Sequence, residues 1–361
     1  MMPATTAGSD EPPETSTYAF LVTAPLMEAP PWRIPVTAAQ SVTLHPADKR
    51  QIFLPGEAKV RWLDNDHQVV REERLDIRFF DAVIEETGQH VPLTVSQDGI
   101  YTSFRLDGLQ VSVQPTHWNE DGSILHSSVS WTVDTQPLSV NLPTTLPDIV
   151  GPTPVANYYL VTKPHAQPSY TSYAPDFASR IASAYNWGYS MWQSETSITL
   201  ASYSIDVLPF NFNAADVCSG GSDSGLRSFV DNWLTFGGTF IGPNAYSLFH
   251  GLNPVPSYAG CAYTSRLQST PGPTEKRASS AITGKDTSGD TYDPDLTYML
   301  GATLHQELTH NAGSGSHTNS PWSCGEINTM ISGWPMWCVH DPPFRTSSTQ
   351  DGVRNYAPSK L

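Results

Sequence analysis

A break divides this chain before any fold is considered. Between Leu142 and Pro154 the sequence carries four prolines and no periodic apolar pattern. Extended proline-rich stretches of this kind act as semi-rigid spacers between domains. The patterning differs on the two sides. Before the break, short β-branched or alternating runs recur at Gln51–Leu54, Ala58–Leu63, Leu75–Phe80, His90–Val95, Leu109–Val113 and Ser127–Val133, after an opening run at Tyr18–Val22. Turn signals punctuate them at 64–66, 97–99 and 119–122, so 18–141 reads as an antiparallel β-domain behind a polar tail at 1–17. Beyond the break, a β-run at Asn157–Thr162 is followed by apolar residues at helical spacing from Pro175 to Gln193: Phe177, Ile181, Ala184, Tyr185, Tyr189 and Trp192. A long strand, Ser197–Val207, comes next. A second helix is predicted over Ser224–Phe236, ended by Gly237-Gly238. The fold class is therefore α+β or α/β, with a β-rich domain at 18–141, a linker at 142–154 and a mixed domain at 155–361. Two domains suit a chain of 361 residues.

Charge and cysteine usage narrow the function. Thirty-five acidic residues against 19 basic ones give a formal net charge of −16. Phosphates repel such a chain, which argues against nucleic acid or an anionic membrane as partner. No apolar run approaches the roughly 20 residues of a membrane-spanning helix. The four cysteines, Cys218, Cys261, Cys324 and Cys338, all lie beyond the break. An even number without a CxxC pair suggests two disulfides and an oxidising, secreted or extracellular setting. Chain order suggests Cys218–Cys261 with Cys324–Cys338, one of three pairings. Residues Met1 to Thr17 lack the basic start and apolar run of a secretory signal.

The chemistry concentrates between Leu304 and His317, where His305, His310 and His317 accompany Glu307 and Gly313. Catalytic zinc takes about three protein ligands and keeps one position open. A nearby carboxylate can take a proton from a water that the metal has acidified to a pKa of roughly 7. The familiar pattern is His-Glu-x-x-His on one helical face, then a glycine turn and a third histidine. Counting back from His310, Glu307 and Gly313 are in register, His317 is one residue late, and the first ligand position holds Gln306. His305 is one residue early. On a regular helix His305 and His310 would lie about 140° apart. A π-bulge would bring them onto one face, and the expectation adopted is that His305 ligates through such a bulge. The alternative is that Gln306 faces the site.

Downstream, Cys324-Gly325-Glu326-Ile327-Asn328-Thr329-Met330-Ile331-Ser332-Gly333-Trp334 resembles the methionine turn that metzincins place beneath their zinc. With His310-Asn311-x-Gly313, it makes the chain resemble a metzincin metallopeptidase. Ser332, where astacin-like and serralysin-like members carry tyrosine, resembles the reprolysin-like (adamalysin-like) branch. The resemblance implies a twisted mixed sheet with an active-site helix, zinc held by His305, His310 and His317, Met330 beneath it, and Glu307 as general base. It implies a zinc-dependent endopeptidase acting on protein or peptide substrates. Asn244–Gly251, followed by Gly260-Cys261-Ala262-Tyr263, resembles the edge strand along which substrate runs and the strand after it. The run from Ser96 to Pro115 resembles the end of reprolysin-type propeptides, which implies a zymogen. The N-terminal half has no cysteine, so a thiolate on the zinc is impossible there and any inhibition would be steric or come from another group. The competing expectation is a catalytically impaired metzincin fold that binds protein, with Gln306 in place of the first histidine. A metal storage or transport role is disfavoured, because storage needs neither a glutamate base nor a methionine turn.

Overall fold

The computed structural model describes residues 18–20, 31–35, 40–53, 56–106, 109–118, 124–133, 159–196, 199–202, 204–211, 244–250, 260–262, 278–283 and 297–311. The alternating runs before the break form an eight-stranded sheet. Its strands are β1 (Tyr18–Phe20), β2 (Trp32–Pro35), β3 (Ser41–Arg50), β6 (Ile77–Ile84), β7 (His90–Ser96), β8 (Gly99–Leu106), β9 (Leu109–Trp118) and β10 (Ile124–Val133), in the order β1-β10-β9-β8-β7-β6-β3-β2. Every pairing in it is antiparallel. The β7–β8 hairpin turns through Gln97-Asp98, with Ser96 opposite Gly99 at φ 138°, where a side chain would be strained. One face of this sheet buries Leu44, Ile84, Leu93, Ile100 and Val111 in a core of its own.

A second sheet runs in the order β15-β16-β14-β11-β13-β4-β5. Four of its strands, β11 (Tyr159–Ala166), β13 (Ile205–Val207), β14 (Asn244–His250) and β16 (Ala278–Thr283), are parallel and come from beyond the break. The long strand expected over 197–207 is split into β12 (Thr199–Ser202) and β13, both paired to β11. Two further strands, β4 (Lys59–Leu63) and β5 (Val69–Arg74), come from the N-terminal half, and β4 pairs parallel with β13. Asp64 makes their turn, its Oδ1 accepting from the backbone N–H groups of Asp66 at 2.9 Å and Gln68 at 2.8 Å.

One strand assignment is corrected. Asn244–Gly251 was expected at an edge, yet β14 lies inside the sheet with β11 on one side and β16 on the other. Among the described residues the edge belongs to β15 (Gly260–Ala262), antiparallel to β16. Alternation along a strand says which side chains share a face and nothing about how many neighbours the backbone has, so an interior strand and an edge strand can read alike.

Three helices are described: α1 (Pro168–Tyr173), α2 (Phe177–Thr196) and α3 (Thr297–Asn311). The expected helix at 175–193 is thus α2, while the one expected at 224–236 lies outside the described residues. Helix α2 packs between α3 and the first sheet. Its Asn186 Nδ2 donates to Leu93 O and Thr94 Oγ1, both at 3.1 Å. A second core joins Tyr170, Ile181, Tyr185, Leu304 and Leu308 to Ile52 and Val60 from before the break. Among the described residues no helix is long and apolar enough to cross a membrane. The linker expected at 142–154 lies outside the described residues, and the sheet memberships cross it.

Candidate active-site helix

Helix α3 is α-helical from Thr297 to Asn311. Within it, Thr309 Oγ1 donates to the carbonyl of His305 at 2.7 Å, an i to i−4 bond that satisfies the buried hydroxyl. The face toward α2 is set by Gly301. A Cβ added there would stand 2.9 Å from the Cβ and Cγ of Trp187, so only glycine lets the two helices approach this closely. One turn on, the His305 ring meets the Trp187 ring edge-on, with centroids 6.1 Å apart and planes at 88°. Leu300, Leu304 and Leu308 continue this apolar side into the core.

The expected π-bulge that would bring His305 round to His310 is not seen in α3, where the His305 ring packs against Trp187 on the α2-facing side. At about 100° per residue, Gln306 and His310 lie roughly 40° apart on the other side of the helix, and His305 lies about 140° from His310. Gln306, Glu307 and His310 therefore keep the register of the familiar motif, with glutamine at its first position.

Burial sets the electrostatics. His305 is fully buried, and desolvation pulls its imidazole down to about 3, so it is neutral at pH 7. The Glu307 carboxyl is 4% exposed, and desolvation pushes it up to about 8. A carboxyl raised into this range holds its proton at neutral pH and can exchange it, as a general acid–base group must. A cation close by would favour the ionised form instead. His310 and Gln306 are likewise buried.

The donor set decides whether zinc fits here. His310 supplies an imidazole and Glu307 a carboxylate on one helix in the register that metal-assisted hydrolysis uses, whereas His305 does not share their side. The described part of the set thus fits at His310 and Glu307, with the Gln306 amide in the first position. His317 and Met330 lie outside the described residues, as do Cys218, Cys324 and Cys338. Of Cys261 only the backbone, in β15, is described. Among the described residues no group of three or more His, Cys, Asp and Glu side chains converges on a metal-sized site. Trp187 and Gly301 went unnoticed in the sequence. A glycine inside a helical pattern is a signal of close packing that could have found the second of them.

No family model matches the chain, and no curated protein matches it in sequence. Among solved structures it is similar to metalloproteinase-II from Bacteroides fragilis, with a TM-score of 0.50 at 12% identity over 88% of this chain and 87% of that one. The likeness is one of fold. A likeness covering 88% of the chain takes in strands from both sides of the break.

Proposed function

We propose that the chain is a zinc-dependent endopeptidase with Glu307 as its general base. What carries the reading is the placement of Glu307, buried, with His310 three residues on along the same α-helix. His310 and His317 would hold the metal, the Gln306 amide would occupy the remaining helical position, and Met330 would lie beneath. Zinc bound there would polarise the scissile carbonyl and acidify a water molecule. Glu307 takes the proton from the attacking water and passes it to the leaving amine. Among the described residues β15 is the edge of its sheet, and an edge strand can take an extended peptide as an added strand. Placement in the reprolysin-like branch rests on the motif residues at 310–313 and 329–332, and export and disulfide bonding rest on the cysteine pattern.

A second reading is favoured by one observation: regular α3 puts Gln306 where a histidine would be. A neutral amide oxygen is a far poorer zinc ligand than imidazole, so a protein-binding role with weakened metal affinity follows from the same residue.

Metal analysis and peptide hydrolysis on four variants separate the two. The peptidase reading expects about one zinc per chain, lost in His310→Ala. Glu307→Gln should keep the metal and lose hydrolysis by about 10²-fold or more. Gln306→His should raise zinc affinity, and His305→Ala should leave the metal in place. Absence of bound zinc in the wild-type chain, with zinc and hydrolysis appearing only in Gln306→His, would establish the binding-module reading. Loss of metal in His305→Ala at unchanged fold would restore His305 as the ligand.

A further inference from the structure

We propose that residues 59–74 are a permanent part of the sheet beside the candidate site, so that a cut between the two halves yields a two-chain protein rather than a free C-terminal half. The inference rests on sheet membership and is independent of whether the protein hydrolyses peptides.

Strand β4 is not an appendage, because it lies inside the sheet between β13 and β5. Its residues Val60, Arg61 and Trp62 pair with Ile205, Asp206 and Val207. On its other side, among the described residues, β13 pairs with β11 at Asp206 opposite His165 and Val207 opposite Ala166, with Leu208 N donating to Ala166 O at 2.9 Å. Without the hairpin, a three-residue strand would become an edge secured by two pairs. The side chains lock the same register. Arg61 Nε and Nη2 donate to Asp206 Oδ1 and Oδ2, each at 2.8 Å, and the Asp206 side chain is 9% exposed. Ser204 Oγ adds a donor to Oδ1 at 3.0 Å. If Arg61 left, a buried carboxylate would keep the Ser204 hydroxyl and the His165 imidazole 4.0 Å away but lose its guanidinium partner, a costly state. Just upstream, the Ser202 amide donates to Ile52 O at 2.7 Å, and Phe53 bridges to Ser202. Ile52, Phe53 and Val60 share one core with Leu304 and Leu308 of α3, so the N-terminal half also forms the floor under the candidate helix. The hairpin thus fills a strand position in a sheet that would otherwise be incomplete.

The test inserts a site-specific protease sequence between Thr144 and Thr145 of the full chain, which is cut after folding. We expect both fragments to elute together at the position of the uncut chain, with the amides of residues 60–62 as protected from hydrogen exchange as before. An N-terminal fragment that elutes alone from a soluble C-terminal half would overturn the proposal. Co-elution with freely exchanging β4 amides would also overturn it, since the halves would then be held elsewhere. A second measurement needs no cut. In the intact Arg61→Glu variant, exchange at residues 60–62 and 205–207 should quicken by about tenfold or more while β7–β9 stay as they were. Unchanged exchange in that variant would sink the idea.

Discussion

Among the described residues, two polar seams between the halves of the chain are built on different charge balances. At the β4–β13 seam one carboxylate, Asp206, meets one guanidinium, Arg61, in a bidentate pair. At the seam between α2 and the first sheet, one guanidinium, Arg180, lies near two carboxylates, Asp176 and Asp98. Its Nε donates to Asp176 Oδ1 at 2.7 Å and its Nη2 to Pro115 O at 3.0 Å, while Tyr101 donates to Asp176 Oδ2 at 2.6 Å. Asp98 completes the group by accepting from Ser179 Oγ. Burial pushes the Asp98 carboxyl up to about 6, with the Asp176 charge adding to the rise and the Ser179 bond and Arg180 opposing it. A balanced pair holds through neutral pH, whereas an extra half-buried carboxyl makes a seam that prefers acid. Charge stoichiometry, rather than the number of hydrogen bonds, separates the two.

The largest effect should come from breaking the balanced seam. Asp206→Ala removes the partner of a partly buried guanidinium and should cost about 3 kcal/mol of unfolding free energy by denaturant titration. A cost below about 1 kcal/mol would mean that Arg61 is served by solvent.

Next in size is the pH response of the other seam. The folded-state value for Asp98 lies above its ordinary 3.8, so the folded chain holds this proton more tightly than the unfolded one. Its contribution is whole below pH 3.8 and is lost as pH rises through about 6. At about 1.4 kcal/mol for each pH unit between those values, the loss approaches roughly 3 kcal/mol. Comparison of the wild type with Asp98→Asn across pH 4 to 8 isolates it: the difference should grow toward neutral pH in favour of the variant. Parallel curves would place the Asp98 carboxyl in ordinary solvent.

Tyr101→Phe sharpens the comparison further. Burial and the Asp176 charge hold the phenol well above its usual pKa, so it is a donor at all working pH values. Removing it should cost about 1–3 kcal/mol, because the buried Asp176 side chain loses a donor. The same loss at pH 5 and pH 8 is expected. The smallest effect belongs to Ser204→Ala at the balanced seam, about 1 kcal/mol, since the two Arg61 bonds to Asp206 remain. A cost equal to that of Asp206→Ala would show that Ser204 and Arg61 act as one unit.

Much of the N-terminal half was legible because a period of two is written directly into the residues. The runs at 58–63, 90–95 and 109–113 are found as strands, and the Asp64 turn is where its side chain predicts. What the period cannot convey is partnership. Nothing in Lys59–Leu63 distinguishes a strand of the first sheet from one that crosses to the second, because the pairing depends on Ile205–Val207, some 145 residues away. The β14 assignment failed for the same reason, since an edge is a property of what lies beside a strand. On α3 the register of Glu307 and His310 was readable by counting. The place of His305 was not, because the contact that fixes it, Trp187 against Gly301, joins two helices far apart in the chain.

Local order, turn positions and the candidate chemistry of residues 304–317 thus came from the residues in their own neighbourhood, where backbone sterics and side-chain spacing act over a few positions. Which sheet received β4, which strand became the edge and which side of α3 held His305 depended on contacts between segments far apart. Those contacts are selected by burial and close packing, which no stretch of chain carries alone.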